Sequence, residues 1–514
     1  MKTRPDIRRH RSVLAGTMAA LAISVFTTAC ARSPEPATPA EGRPLLLQIS
    51  QGLLRGVDQE GVRTFRNIPY AAPPVGPLRW RRPQPAPAWT GERDAAAFGS
   101  DCVQNRPFWD DSQSRQTVSE DCLTLNVWAP KAEAPLPVMV WIHGGGFVMG
   151  SASQPVFDGH ALAERGVIVV TFNYRLGRFG FFAHPALAAD HPNEPQGNFG
   201  FMDQVAALTW VRDNIAAFGG DPSRVTLFGE SAGGGSVLQL MLNPDARGLF
   251  QRAIVQSGGG RDRWPSLDEA AAVGRAFGDR NDAATAEALR ALPADSLRGR
   301  LDILSPEKDT YSGPMIDGRL VMTSPVQGFA SGLQAPVPLL IGATDNELVT
   351  VPAFLRGRLA DETLTGARLQ RNALEPIYGD DLNARAATDL TFVEPARRLA
   401  GLADEAGQSV WLYSFGYVAE AKRSEWAGAP HASELGYVFD TLNVVSGVHG
   451  PADQAAADRM ADVWAGFARG EAPSWPAYDL RTDRLGLFDG RGVTAVVQPG
   501  AARLDALGAL RDAR

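Results

Sequence analysis

The sequence predicts an α/β fold: a mostly parallel central sheet flanked by helices, with helical insertions over a cleft. Two observations predict it. Short apolar runs with strand character recur along the chain, and helical patterns lie between or after them. A Gly-x-Ser-x-Gly pentapeptide, Gly229 to Gly233, also sits between one such run and small residues that open a helix.

The strand runs are Pro137 to Ile142, Val167 to Phe172, Val225 to Phe228, Arg252 to Gln256, Val337 to Ile341 and Val410 to Tyr417. Strands of this kind alternating with helices argue for a mostly parallel sheet covered on both faces. Met202 to Phe218 and Ala455 to Arg469 read as helices. Leu267 to Arg300 has no strand signal and carries Ala, Arg, Asp and Glu at helical spacing. It reads as a helical insertion, either a solvated face or a wall of the cleft.

The chain has 514 residues, 44% hydrophobic and 21% charged, which is ordinary for a soluble globular protein and excludes global disorder. Residues 45–514 read as one domain, since no internal repeat interrupts them. Ahead of it, Lys2, Arg4, Arg8, Arg9 and Arg11 precede an uncharged stretch, Ser12 to Ala29, so residues 1–29 read as a signal peptide. Its removal takes a net +4 away and moves the formal charge from −7 to −11. A chain that acidic lacks the basic footprint a nucleic acid requires.

Residues 30–44, rich in Pro and Ala, read as a tether. Lipid attachment at Cys30 would anchor the protein to a membrane, whereas cleavage after Ala31 would free it; in both cases the protein is exported. That leaves Cys102 and Cys122 as a pair in an oxidising compartment, where a disulfide is expected. No His or Cys pair has metal-ligand spacing, so no metal or other cofactor is implied.

Serine is a weak nucleophile until a base takes its proton and a carboxylate orients that base. In a strand–Gly-x-Ser-x-Gly–helix context the chain order is Ser, acid, His. Ser231 is then the nucleophile, and only His431 and His449 follow it. His431 comes by a loop after a predicted strand, whereas His449 lies in a Gly-flanked loop with none before it, so His431 is the expected base. Asp345 and Glu347, just beyond the strand ending at Ile341, are both eligible as the acid. His143-Gly144-Gly145-Gly146-Phe147, directly after an early strand, can present bare backbone N–H groups to a developing oxyanion, joined by the N–H of Ala232.

Several blocks together carry a family resemblance. They are Asn67-Ile68-Pro69-Tyr70-Ala71, Glu120-Asp121-Cys122-Leu123, Trp141 through Phe147, Gly197-Asn198-Phe199-Gly200, Phe218-Gly219-Gly220-Asp221-Pro222 and Phe228 through Gly234. Across residues 45 to 480 the chain resembles the type-B carboxylesterases, the family that includes cholinesterases and bacterial p-nitrobenzyl esterases. The resemblance implies an α/β-hydrolase fold and hydrolysis of small carboxylic esters, with Ser231 as nucleophile, His431 as base and Glu347, rather than Asp345, as acid. It also implies oxyanion donors at Gly145, Gly146 and Ala232, a Cys102–Cys122 disulfide, and Ser257 and Glu434 as supports around the base. Leu348 departs from the glycine that usually follows the acid. The indole platform of cholinesterases has no counterpart between Ser112 and Asp121, where no aromatic residue occurs; Trp109 lies earlier in that loop.

Overall fold

The computed structural model describes residues 42–106, 113–303, 307–445, 447 and 449–513. The signal peptide, the lipidation candidate Cys30 and Trp109 fall outside them. The described residues group as one unit.

Its centre is a thirteen-stranded sheet. An antiparallel meander, Arg43–Ile49, Gly52–Gln59 and Val62–Pro69, forms one edge and passes through Thr124–Pro130 to Ile168–Phe172. From there the pairing is parallel through Leu136–Ile142, Gly220–Glu230, Arg252–Gln256, Leu339–Thr344, Val410–Phe415 and Arg484–Asp489. Gly492–Val497 closes the far edge antiparallel. Arg43 and Pro44, read from sequence as the end of a tether, pair with Asp58 and Val57 in the first strand. The sheet therefore begins two residues before the expected boundary.

Alternation along Leu136–Ile142 shows why both faces are covered. Val138, Val140 and Ile142 enter one apolar cluster with the helices Phe199–Asn214, Ala232–Leu242 and Glu394–Glu405, while Met139 and Trp141 enter another with Pro451–Arg469. A sheet buried on both sides needs apolar residues at successive positions, which is the pattern legible in the sequence.

The predicted strands all form, shifted by up to a few residues; the one ending at Phe228 extends over Gly220–Glu230. The helix expected at Met202 to Phe218 spans Phe199–Asn214 with a 3₁₀ turn, Ile215–Phe218. The insertion holds three helices, Leu267–Arg280, Ala286–Ala291 and Ala294–Arg298. Just past it, Ile303 lies 3.3 Å from where a Cβ on Gly146 would stand, and Leu301 lies 3.1 Å from one on Gly177. Among the described residues no helix is long and apolar enough to cross a membrane.

Candidate active site

The strand Gly220–Glu230 ends by throwing Ser231 into a backbone conformation, φ 55° and ψ −124°, that an L-residue adopts only under strain. The turn closes because its flanks are glycine. A Cβ at Gly233 would sit 2.0 Å from the Ile142 carbonyl oxygen, and one at Gly229 would sit 2.6 Å from Gly233 itself. The Ser231 N–H is held by the Gln256 carbonyl at 2.9 Å on the neighbouring strand. The hydroxyl is thereby lifted off the sheet at the start of the helix Ala232–Leu242.

Across the C-terminal edge of the sheet, three side chains from three loops form one hydrogen-bonded chain. Ser231 Oγ lies 2.9 Å from His431 Nε2, and His431 Nδ1 lies 2.5 Å from Glu347 Oε2. Glu347 is buried, and its other oxygen accepts from Ser257 Oγ at 2.6 Å and from the Thr344 N–H at 3.0 Å. Its carbonyl accepts the N–H of His431 at 2.9 Å, so Glu347 and His431 are tied through backbone as well as side chains. In the neutral ring, Nδ1 donating to Glu347 leaves Nε2 as the acceptor facing Ser231 Oγ.

Asp345, the other candidate, does not reach the ring. Its Oδ1 accepts the N–H of Ala429 at 2.7 Å, which pins the loop that delivers His431. His449 lies in the loop before the helix Pro451–Arg469, and neither of its ring nitrogens has a hydrogen-bond partner among the described residues.

At the triple glycine, Gly145 and Gly146 have φ of 103° and 61°. A Cβ on Gly145 would stand 2.1 Å from the Met149 carbonyl oxygen, so only glycine is admitted. Among the described residues, the N–H groups of Gly145, Gly146 and Ala232 make no backbone hydrogen bond outside regular elements, leaving them free for a ligand oxygen. His143, buried and stacked on Tyr174 at 4.5 Å, is pushed down to about 4 by burial and stays neutral. Cys102 and Cys122 are joined by a disulfide.

Two further carboxylates belong to the site. Glu230 is buried with Oε1 3.1 Å from His431 Nε2, on the same nitrogen that faces Ser231. The room for it exists because residue 144 is glycine, where a Cβ would be 2.8 Å from Glu230 Oε2. Glu434 is fully buried and accepts from Gln256 Nε2 at 3.3 Å. Burial raises both carboxyls, Glu230 to about 7 and Glu434 to about 8; Glu347 adds to each and Glu230 adds to Glu434, while His431 opposes. Burial lowers the His431 imidazole, but Glu230, Glu347 and Glu434 together outweigh it and raise the ring. The sequence signalled Glu434 only through the resemblance; Glu230 stood inside the pentapeptide, where nothing marked which way its side chain turns.

The model of the carboxylesterase family matches residues 43–380 and 379–484. This chain belongs to the carboxylesterase family. It is 36% identical to a para-nitrobenzyl esterase of Bacillus subtilis (strain 168), covering 86% of this chain and 94% of that one. It is likewise 36% identical to a fumonisin B1 esterase of Sphingopyxis macrogoltabida, over 88% of each chain. A solved thermophilic PNB esterase superposes with a TM-score of 0.80 at 32% identity, covering 90% of this chain and 99% of the other. The fold is therefore that of the α/β-hydrolases, and the protein is a serine-type carboxylic ester hydrolase.

Proposed function

We propose that the reaction runs through an acyl-enzyme on Ser231. Ser231 Oγ attacks the acyl carbonyl while His431 Nε2 takes its proton; the tetrahedral oxyanion is met by the N–H groups of Gly145, Gly146 and Ala232. His431 then gives the proton to the departing alkoxide, and water repeats the sequence on the acyl-enzyme. Glu347 holds the ring in the accepting tautomer and stabilises the imidazolium formed in each half-reaction. The observation that carries this reading is the continuous chain from Ser231 Oγ through His431 to Glu347.

The substrate is a small ester with apolar character near the acyl or alcohol group. This rests on the residues flanking the oxyanion donors: Phe147, edge-on to Trp264 at 6.2 Å, and Ile303 beside Gly146. Upstream, residues 1–29 act as an export signal and the following Pro/Ala-rich stretch as a tether, with lipid on Cys30 giving a membrane-anchored form. Hydrolysis of a p-nitrophenyl ester by purified Ser231→Ala protein tests the nucleophile. Near-complete loss of turnover with an unchanged melting temperature is expected; a rate equal to wild type would overturn the assignment.

A further inference from the structure

The helical run from Leu382 to Glu405 is not uniform. Its first part, Leu382–Thr388, packs with Leu364, Leu374 and Leu507, whereas Glu394–Glu405 packs on the sheet through Ala396, Leu399 and Ala400. Between them lies one π-helical turn, Asp389–Val393, closed by the Glu394 N–H bonding the Asp389 carbonyl five residues back.

Sequence explains the turn. Pro395 has no N–H to return to the Thr391 carbonyl, and its ring would crowd that carbonyl in an α-helical register. An extra residue opens the coil there, and such turns are frequent at functional sites. Buried ion pairs hold both ends. Asp389 accepts from Arg503 Nε at 2.7 Å and from Tyr378 Oη at 3.1 Å, while Glu394 accepts from Arg261 at 2.6 Å and Arg511 at 3.1 Å. Arg503 and Arg511 both come from the helix Ala501–Asp512, so this last helix clamps the turn in place.

The residue the turn presents is Phe392. Its ring centroid lies 4.8 Å from that of the His431 imidazole, with the planes inclined by 34°. Carboxyl groups reach the same ring from Glu347 at Nδ1 and Glu230 at Nε2, with Glu434 further off. Among the described residues, Phe392 supplies the aromatic ring packed against the imidazole, in a tilted contact.

We propose that Phe392 is a positioning residue for the general base: its ring face confines the imidazole between Ser231 and Glu347 and favours the imidazolium formed as the serine proton is taken. An aromatic face attracts a cation within about 6 Å, by an amount that grows as water is excluded. The role rests on His431 being the base.

The test compares Phe392→Leu and Phe392→Tyr with wild type and with His431→Ala, following kcat, KM and the pH profile of kcat/KM. Leucine keeps the apolar bulk and removes the aromatic face. Phe392→Leu is expected to move the acid limb down by about half a pH unit and to lower kcat roughly threefold to tenfold, with the melting temperature retained. Phe392→Tyr is expected to restore both. A change in KM alone with an unmoved profile would make Phe392 a pocket wall and overturn the proposal, as would a tyrosine variant no better than the leucine one. Wild-type activity in His431→Ala would instead overturn the reading of the base, which separates the two failures.

Discussion

Replacing Glu347 by glutamine tests the acid assignment in a way the geometry makes quantitative. Glu347 Oε1 faces two donors, Ser257 Oγ at 2.6 Å and the Thr344 N–H at 3.0 Å. The glutamine carbonyl must take that position, because an NH₂ group there would oppose two donors. The NH₂ then replaces Oε2, 2.5 Å from His431 Nδ1. Nδ1 has to become an acceptor, the ring proton moves to Nε2, and Nε2 can no longer take the proton of Ser231. The same tautomer error in a serine protease costs about 10⁴ in kcat, so Glu347→Gln is expected to lose roughly 10³ to 10⁴. At about 1.36 kcal/mol per decade that is on the order of 4 to 5.5 kcal/mol of barrier. Asp345→Asn keeps an acceptor for the Ala429 N–H and never touches the ring, so a loss below about tenfold is expected. Steady-state hydrolysis of a p-nitrophenyl ester by both variants decides. A larger loss in Asp345→Asn, or equal losses, would refute the reasoning.

The raised His431 means that the neutral, proton-accepting ring accumulates only as pH rises through a value above the ordinary imidazole range of about 6.5, so the acid limb of kcat/KM should lie there. Glu230→Gln removes a carboxylate 3.1 Å from Nε2 and is expected to shift that limb down by roughly one unit; a limb that stays put would show that Glu230 does not act on the ring. Gly145→Ala places a Cβ 2.1 Å from the Met149 carbonyl oxygen at a φ of 103°, and a fall in kcat of on the order of 10² with the fold kept is the expected cost of a displaced donor. An unaffected kcat would remove that loop from the oxyanion site. Cys102 and Cys122 close a loop of sequence separation 20, worth about 3 kcal/mol by loop entropy, so reduction should lower the denaturant midpoint. An identical midpoint in reductant would contradict that contribution.

What the sequence disclosed follows from how each feature is encoded. Strands buried on both faces, such as Ile168–Phe172 and Leu339–Thr344, read as apolar runs and were found. The edge meander was not, because Arg43, Arg55, Asp58 and Arg63 interrupt its apolar positions and leave a weak alternating pattern. Ser231 and His431 were legible from a motif and from chain order. The choice between Glu347 and Asp345 was not, since it depends on which way two side chains turn after one strand, and only the family resemblance favoured Glu347. Phe392 carries no motif. Its place depends on a proline inside a helix and on ion pairs to residues more than a hundred positions away, Arg503 among them, so no local pattern could announce it.

The most direct test of the central claim is to find the acylated atom. The purified enzyme would be treated with a fluorophosphonate, in which serine oxygen attacks phosphorus and fluoride leaves, and the peptides then mapped by mass spectrometry. The account predicts one adduct, on Ser231, with activity lost in proportion to labelling and no adduct in the His431→Ala protein, whose hydroxyl lacks its base. Stoichiometric labelling of any other residue, or full activity in protein whose Ser231 is modified, would contradict it.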